Sequence, residues 1–264
     1  MDIRMIALDI DGTLVRKGGF SPSPAVCRAL KEAQRRGVLV VLASGRTRAA
    51  MDPGILKGVK PDYFICANGA QVVDAAGREL MRQTLTPEEM YALVDWCEDY
   101  DYPLCFSFAD GYYGYVEFET MQRNYGRATG HPEHILDGED QDRHLQDMPF
   151  AAHATMTAEA VEGYRAKYGH LGLRFMPFTE SQYDVARADQ DKAVGLDFLA
   201  KKLGIAPAQI AAAGDGHNDV GMLRYAGIGA AMGNGDEAAK AAADRVLPTV
   251  DEDGVAAFVA ELLA

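Results

Sequence analysis

Four short segments of this 264-residue chain carry side chains whose types and spacing suit phosphoryl chemistry. Asp9-Ile10-Asp11-Gly12-Thr13-Leu14 sets two carboxylates two residues apart. In extended backbone that spacing puts both on one face, and the glycine lets the chain turn its amides toward an anion. Ser44 and Gly45 offer a hydroxyl and an amide, and Lys192 offers a fixed cation. Asp215 and Asp219 add carboxylates in a glycine-rich loop, with Asn218 between them. Clustered carboxylates without a His/Cys ligand set favour a hard cation, foremost Mg2+, which keeps several waters and needs few protein groups. A lysine and a hydroxyl beside such an ion make a site for a phosphoryl group. A carboxylate in line with phosphorus can then act as nucleophile, so that one transfer becomes two easier steps through an aspartyl phosphate. Singly, each segment has a plainer reading as a turn, an N-cap or a solvated lysine. All four in order at strand or helix ends is the stronger signal.

Positioning these side chains requires a frame. Arg4–Leu8 is an apolar run that reads as a buried strand feeding the first aspartates. Ser23-Pro24 predicts a helix start, Val26, Leu30 and Ala33 mark its apolar face, and Gly37 ends it. Val38–Leu42 and Tyr63–Ala67 read as further strands, broken by Ser44-Gly45-Arg46 and Asn68-Gly69. The rhythm returns with strands at Ile210–Ala213, Ile228–Met232 and Val246-Leu247. Helices are expected through Leu223, over Asp236–Ala243 and over Val255–Leu263. Strand, helix, strand with polar loops at strand ends predicts a parallel α/β sheet, whose ligands bind beyond the carboxyl ends of the strands.

Between these stretches the texture changes. Thr86 and Glu89 form a capping-box pattern opening a helix to about Glu98. Tyr102–Phe108 and Tyr112–Glu117 alternate around Asp110-Gly111, a hairpin signal. A strand at Ala151–Met156, a helix at Ala158–Tyr168 and strands at Leu173–Phe178 and Tyr183–Ala188 complete an α+β unit on an antiparallel sheet. The expected division is a core of residues 1–82 and 187–264 with an insertion at 83–186.

The motifs resemble those of the haloacid-dehalogenase superfamily of aspartate-nucleophile phosphatases. The DxDGTL start, Ser44-Gly45-Arg46, the lysine of Asp191-Lys192-Ala193-Val194-Gly195-Leu196 and the GDGHND loop match its four motifs in order. Ala67-Asn68-Gly69-Ala70, the insertion that follows, and Ala226-Gly227 with Met232-Gly233-Asn234 are similar to the Cof-like branch with a subclass IIB cap. Gly235 departs from that branch, which usually has Ala there. The resemblance implies a Rossmann-like catalytic core and an α+β cap that sets substrate specificity. It implies Asp9 as nucleophile and Asp11 as the acid that protonates the leaving alcohol and then activates water. Mg2+ would be held by the Asp9 carboxylate, the Asp11 main-chain carbonyl and Asp215, with Asp219 a ligand through water or an orienter. Ser44, Gly45, Lys192 and Asn218 would contact phosphate, and Arg46 would touch substrate from the rim.

Charge narrows the substrate. The chain holds 26 Lys+Arg against 39 Asp+Glu, a formal −13. Residues 83–186 hold 19 acidic and 6 basic side chains, leaving 20 of each elsewhere, so the whole excess sits in the insertion. Nucleic acid is disfavoured as a partner on this sign; the acidic insertion reads first as a solvated face that aids solubility, and as a field selecting compact substrates over extended polyanions in the sharper alternative. No apolar run reaches about 18 residues and the N-terminus lacks a signal pattern, so the expectation is a cytoplasmic protein with no membrane partner, a monomer or small homo-oligomer. Cys27, Cys66, Cys97 and Cys105 lack ligand spacing and read as buried thiols. His131, His134, His144, His153 and His170 lack a metal-ligand spacing and read as surface or core residues. His217 either faces solvent or touches the site. Tyr112, Tyr113, Tyr115 and Phe118 read as hairpin packing, and Trp96 as core. The leading expectation is therefore a Mg2+-dependent phosphatase of a small phosphorylated metabolite, a sugar phosphate first. A phosphomutase using the same aspartyl phosphate, or a non-catalytic phosphate-binding module, is the alternative. A dinucleotide-binding oxidoreductase is disfavoured because no GxGxxG follows the first strand.

Overall fold

The computed structural model describes residues 2–51, 53–177 and 179–264; Phe178, the end of one expected strand, lies outside them. The apolar run near the N-terminus forms β1 (Met5–Leu8), buried throughout. Ser23 caps α1 (Pro24–Arg35) by accepting a hydrogen bond from the Val26 amide at 3.1 Å, with proline at the first helical position. There follow β2 (Leu39–Ala43), α2 (Pro53–Gly58) and β3 (Tyr63–Cys66). Next comes a hairpin that the sequence reading lacked, β4 (Gln71–Asp74) and β5 (Glu79–Arg82). Its turn is set by Asp74 Oδ1, which accepts the amides of Ala76 and Arg78, both at 2.9 Å.

The middle of the chain supplies α3 (Pro87–Asp99), β6 (Leu104–Phe108), β7 (Gly111–Val116), α4 (Phe118–Thr129) and β8 (Ile135–Asp137). It continues with β9 (Ala151–Thr155), α5 (Ala158–Tyr168), β10 (Leu173–Pro177) and β11 (Gln182–Arg187). The C-terminal stretch gives α6 (Lys192–Leu203), β12 (Ile210–Gly214), α7 (Val220–Tyr225), β13 (Ile228–Ala231), α8 (Glu237–Ala242), β14 (Arg245–Val246) and α9 (Gly254–Leu262).

The chain divides into two compact units, one of Met1–Arg46, Met51–Arg82 and Asp191–Ala264, the other of Thr47–Ala50 and Gln83–Gln190. The first unit is a sheet in the order β14-β13-β12-β1-β2-β3-β4-β5. Its strands run parallel from β14 to β3, while β4 and β5 add antiparallel at one edge. Ile6, Leu8, Val40 and Leu42 point to one face, where Val26 and Leu30 of α1 and Phe258 of α9 cover them. Met5, Ala7, Val41 and Ala43 point to the other, against Leu196 and Leu199 of α6 and Met222 of α7. Burial on both faces explains why these strands read as apolar runs rather than alternations.

The second unit is a sheet in the order β10-β11-β9-β6-β7-β8, antiparallel except that β8 joins β7 in parallel. Phe106, Phe108, Ala152 and Val185 pack under Leu93 and Trp96 of α3 and Val161 and Tyr164 of α5. A smaller cluster joins Cys105 and Tyr112 to Met121 and Tyr125 of α4, Ile135 of β8 and Ala50. The capping box is complete: Thr86 Oγ1 accepts the Glu89 amide at 3.2 Å, and Glu89 Oε2 accepts the Thr86 amide at 2.7 Å. Thr86→Ala should therefore lower stability by about 1 kcal/mol. The readout is a lower denaturant midpoint at unchanged slope, and an unchanged midpoint would show that the cap contributes nothing. The four cysteines are free thiols, with Cys27 half-buried rather than buried. Among the described residues no helix is long and apolar enough to cross a membrane.

Candidate active site

Strand order reverses at β1, which has β2 on one side and β12 on the other. In open α/β sheets the crevice beyond the carboxyl ends at such a point is where ligands bind. Asp9 directly follows β1, Ser44 follows β2 and Asp215 follows β12, so register alone brings three of the expected residues to that crevice. Lys192 arrives from another direction, as the first residue of α6 behind its N-cap Asp191, whose Oδ1 accepts the Ala193 amide at 2.8 Å.

Lys192 is fully buried, and its ammonium donates to Asp9 Oδ1 at 2.6 Å and to Asp219 Oδ1 at 2.7 Å. The other oxygen of Asp219 accepts the amides of Asp215 at 3.0 Å and Gly216 at 2.9 Å, closing the loop on itself. Carboxylate oxygens of Asp9, Asp215 and Asp219 all lie within 4.8 Å of one another. Gly12 makes this approach possible. Its φ is +88°, and a Cβ there would sit 2.3 Å from Asp215 Oδ2. Any side chain at position 12 would both strain the turn and displace the carboxylate.

Three buried carboxylates face one buried ammonium and the exposed one of Lys17, so negative charge is in excess. Burial pushes the Asp9 carboxyl well above its ordinary range, and the charges of Asp219, Asp215 and Asp11 add to this against the opposing pull of Lys192. Asp215 is raised too, by burial first and by Asp219, with Lys17 opposing. Burial alone would lower the Lys192 ammonium, yet Asp219 and Asp9 hold it above its ordinary value. Asp215 Oδ2 is buried and accepts no well-directed hydrogen bond. The Lys17 ammonium, on a largely exposed side chain, stands 3.2 Å away. An oxygen-only donor set with excess charge and an orphaned carboxylate oxygen fits a hard divalent cation.

The remaining expected residues take other positions. Asp11 is held by Arg46, whose Nε and one terminal nitrogen reach its two carboxylate oxygens at 2.9 and 2.7 Å. Arg46 thus grips a neighbouring carboxylate. Ser44 is buried, and its Oγ accepts the Arg46 amide at 3.2 Å. Gly45 lies close under Asn68, and Asn218 Nδ2 donates to Asn68 Oδ1 at 2.9 Å. His217 is exposed. Three contributors had no role assigned from the sequence, although Asn68 and Asn234 belong to motifs quoted for the resemblance. Lys17 pairs with Asp215, and Asn68 holds Asn218. Asn234 ties the Gly12 carbonyl, at 2.8 Å, to the Val250 amide, also at 2.8 Å. Lys17 and Asn234 are polar loop residues and Asn68 lies in a single 3-10 turn, so no periodicity marks them.

Residues 6–259 match the family model of haloacid dehalogenase-like hydrolases. The phosphatase YwpJ of Bacillus subtilis strain 168 is 30% identical over 290 residues, covering 99% of this chain and 100% of that protein. The 5-amino-6-(5-phospho-D-ribitylamino)uracil phosphatase YcsE of the same organism is 27% identical, covering 97% of this chain and 94% of its own length. Among solved structures, BT1666 from Bacteroides thetaiotaomicron, a phosphatase of the haloalkanoate superfamily, superposes with a TM-score of 0.85 at 26% identity. It covers 98% of this chain and 94% of that one.

Proposed function

Because this chain belongs to the haloacid dehalogenase-like hydrolases, whose model spans residues 6–259, we propose that it is a Mg2+-dependent phosphatase of a small phosphorylated metabolite, a sugar phosphate first, working through an aspartyl phosphate on Asp9. The observation that carries this reading is the Lys192 ammonium bridging Asp9 and Asp219 beside the buried Asp215 carboxylate, whose Oδ2 faces the Lys17 ammonium at 3.2 Å.

Asp9, fixed by Lys192 through one oxygen, presents the other to phosphorus and takes the phosphoryl group as the ester oxygen leaves. Asp11 gives that oxygen its proton and later takes one from the water that cleaves the aspartyl phosphate. Until substrate arrives both oxygens of Asp11 are engaged by Arg46, so an incoming anion that draws the guanidinium away frees the acid–base group. Ser44, the Gly45 amide, Lys192 and Asn218 bind the phosphoryl oxygens where charge builds up. Asp9, the Asp11 carbonyl and Asp215 would hold the divalent ion, with Asp219 orienting the loop and Lys192. When bound, the ion neutralises the phosphoryl oxygens and so lets two anions meet. Leaving-group preference is assigned to the inserted unit, whose acidity opposes polyphosphates.

The test is release of inorganic phosphate from a panel of sugar, nucleotide and cofactor phosphates. Hexose monophosphates should be hydrolysed faster than nucleoside triphosphates. A chelator should abolish the activity and Mg2+ should restore it. Full activity in chelator would overturn the metal assignment, and a preference for triphosphates would overturn the substrate class. Hexose phosphate rearranged without phosphate release would mark a mutase.

A further inference from the structure

On the reading of Asp9, Asp11 and Asp215 as holders of a divalent ion, we propose that Lys17 competes with that ion for Asp215 and so sets how much of it the protein needs. The Lys17 ammonium stands 3.2 Å from Asp215 Oδ2. The other carboxylates of the cluster are engaged elsewhere. Lys192 takes one oxygen each of Asp9 and Asp219, and the second Asp219 oxygen accepts the amides of Asp215 and Gly216. Lys17 therefore addresses the carboxylate that Lys192 leaves aside. An ammonium and a dication drawing on the same buried oxygen repel each other, so each weakens the other's hold.

The pair is built to exchange. Asp215 is buried, yet the Lys17 side chain is 75% exposed and gives Oδ2 no well-directed hydrogen bond. Charge alone holds the contact, and the flexible stem of lysine can swing its head into water at little cost. The backbone, by contrast, is fixed on both sides of residue 17. Val15 is buried in the core of the first unit, and its carbonyl accepts the Gly12 amide at 2.7 Å. The Gly19 amide closes on the Arg16 carbonyl at 2.7 Å, and the Arg16 side chain pairs with Asp251. Displacing Lys17 thus needs a side-chain rotation and no movement of the loop.

A pair with both members in water contributes little. Here one member is buried, and Lys17 opposes the burial of Asp215 more strongly than Lys192 does. The charges of Asp9 and Asp236 act on the same ammonium. Lys17 is thus the built-in counter-charge of Asp215, which a divalent ion has to replace. Ion binding is accordingly weaker than the carboxylates alone would give, and more sensitive to salt.

The experiment titrates Mg2+ into chelator-stripped full-length protein by calorimetry, comparing the native chain with Lys17→Met, Lys17→Arg and Arg16→Met. At low ionic strength Lys17→Met should bind Mg2+ about fivefold more tightly, and the gain should shrink in about 0.5 M salt. Lys17→Arg keeps the charge and should stay near the native affinity. Arg16→Met removes a positive charge that pairs with Asp251 instead, and should also stay near it. Melting curves give a second reading. Without Mg2+ the midpoint of Lys17→Met should lie below the native one, and saturating Mg2+ should close the gap. Lys17 is exposed, so its variants keep the fold. Equal Mg2+ affinity in the native chain and Lys17→Met, or an equal gain in Arg16→Met, would overturn the proposal and leave the ion site standing. No Mg2+ binding by any of the chains would overturn the ion site itself, and the competition with it.

Discussion

Asp9→Asn should reduce phosphate release to background, a loss of about 10^4-fold or more on the scale of other nucleophile deletions. The fold should survive it. The amide oxygen of Asn can still accept from Lys192, which keeps its second bond to Asp219 at 2.7 Å. The electrostatics point the same way. Burial raises the Asp9 carboxyl well above its ordinary range, so the folded state binds this proton more readily than the unfolded chain does. Such a group lowers stability as pH rises from the unfolded value through the folded one. A neutral amide removes that penalty. In the metal-free protein at neutral pH the thermal midpoint of the variant should therefore equal or exceed that of the native chain. Measuring phosphate release and the melting curve on the same sample separates the outcomes. Retained activity would remove Asp9 from the chemistry, and a large drop in midpoint would make the carboxylate a structural group instead.

What the sequence made legible follows from which interactions are local. The doubly covered parallel strands announce themselves as apolar runs because both faces are buried, as at Met5–Leu8 and Leu39–Ala43. The capping box of α3 and the serine cap of α1 are contained in four residues each, and both formed as read. Asp9 and Asp215 were placed by the same logic, since each directly follows a buried strand. Helix α4 stayed hidden because Glu117 at its start is in the left-handed region, φ 51°, and supplies no capping side chain. The parallel pairing of β8 with β7 stayed hidden because three residues cannot declare a direction. Arg46 was expected at the rim because nothing in its own segment reveals the carboxylate of Asp11, 35 residues away.

Lys192 carries the second large effect, and here stability and chemistry move together. Lys192→Met keeps most of the volume of a fully buried side chain and removes its charge. Asp9 and Asp219 then face each other without the ammonium that sits 2.6 and 2.7 Å from them. Breaking a buried ion pair by deleting one partner costs about 3–5 kcal/mol, because the charge left behind has lost both water and its counterion. Asp219 also anchors the amides of Asp215 and Gly216, so the loop that bears Asp215 loosens with it. The deficit should depend on pH with a definite sign. In the variant Asp9 loses the opposing pull of Lys192 and becomes neutral only by binding a proton, which burial makes the folded state do more readily than the unfolded one. Stability should accordingly fall further behind the native chain at pH 8 than at pH 5. A divalent cation supplies charge to the same carboxylates, so Mg2+ should recover part of the stability while phosphate release stays lost. Denaturant midpoints at the two pH values, with and without Mg2+, provide the comparison. A variant as stable as the native chain at pH 8 would show that Asp9 and Asp219 do not depend on the ammonium, and the electrostatic account of this site would fail.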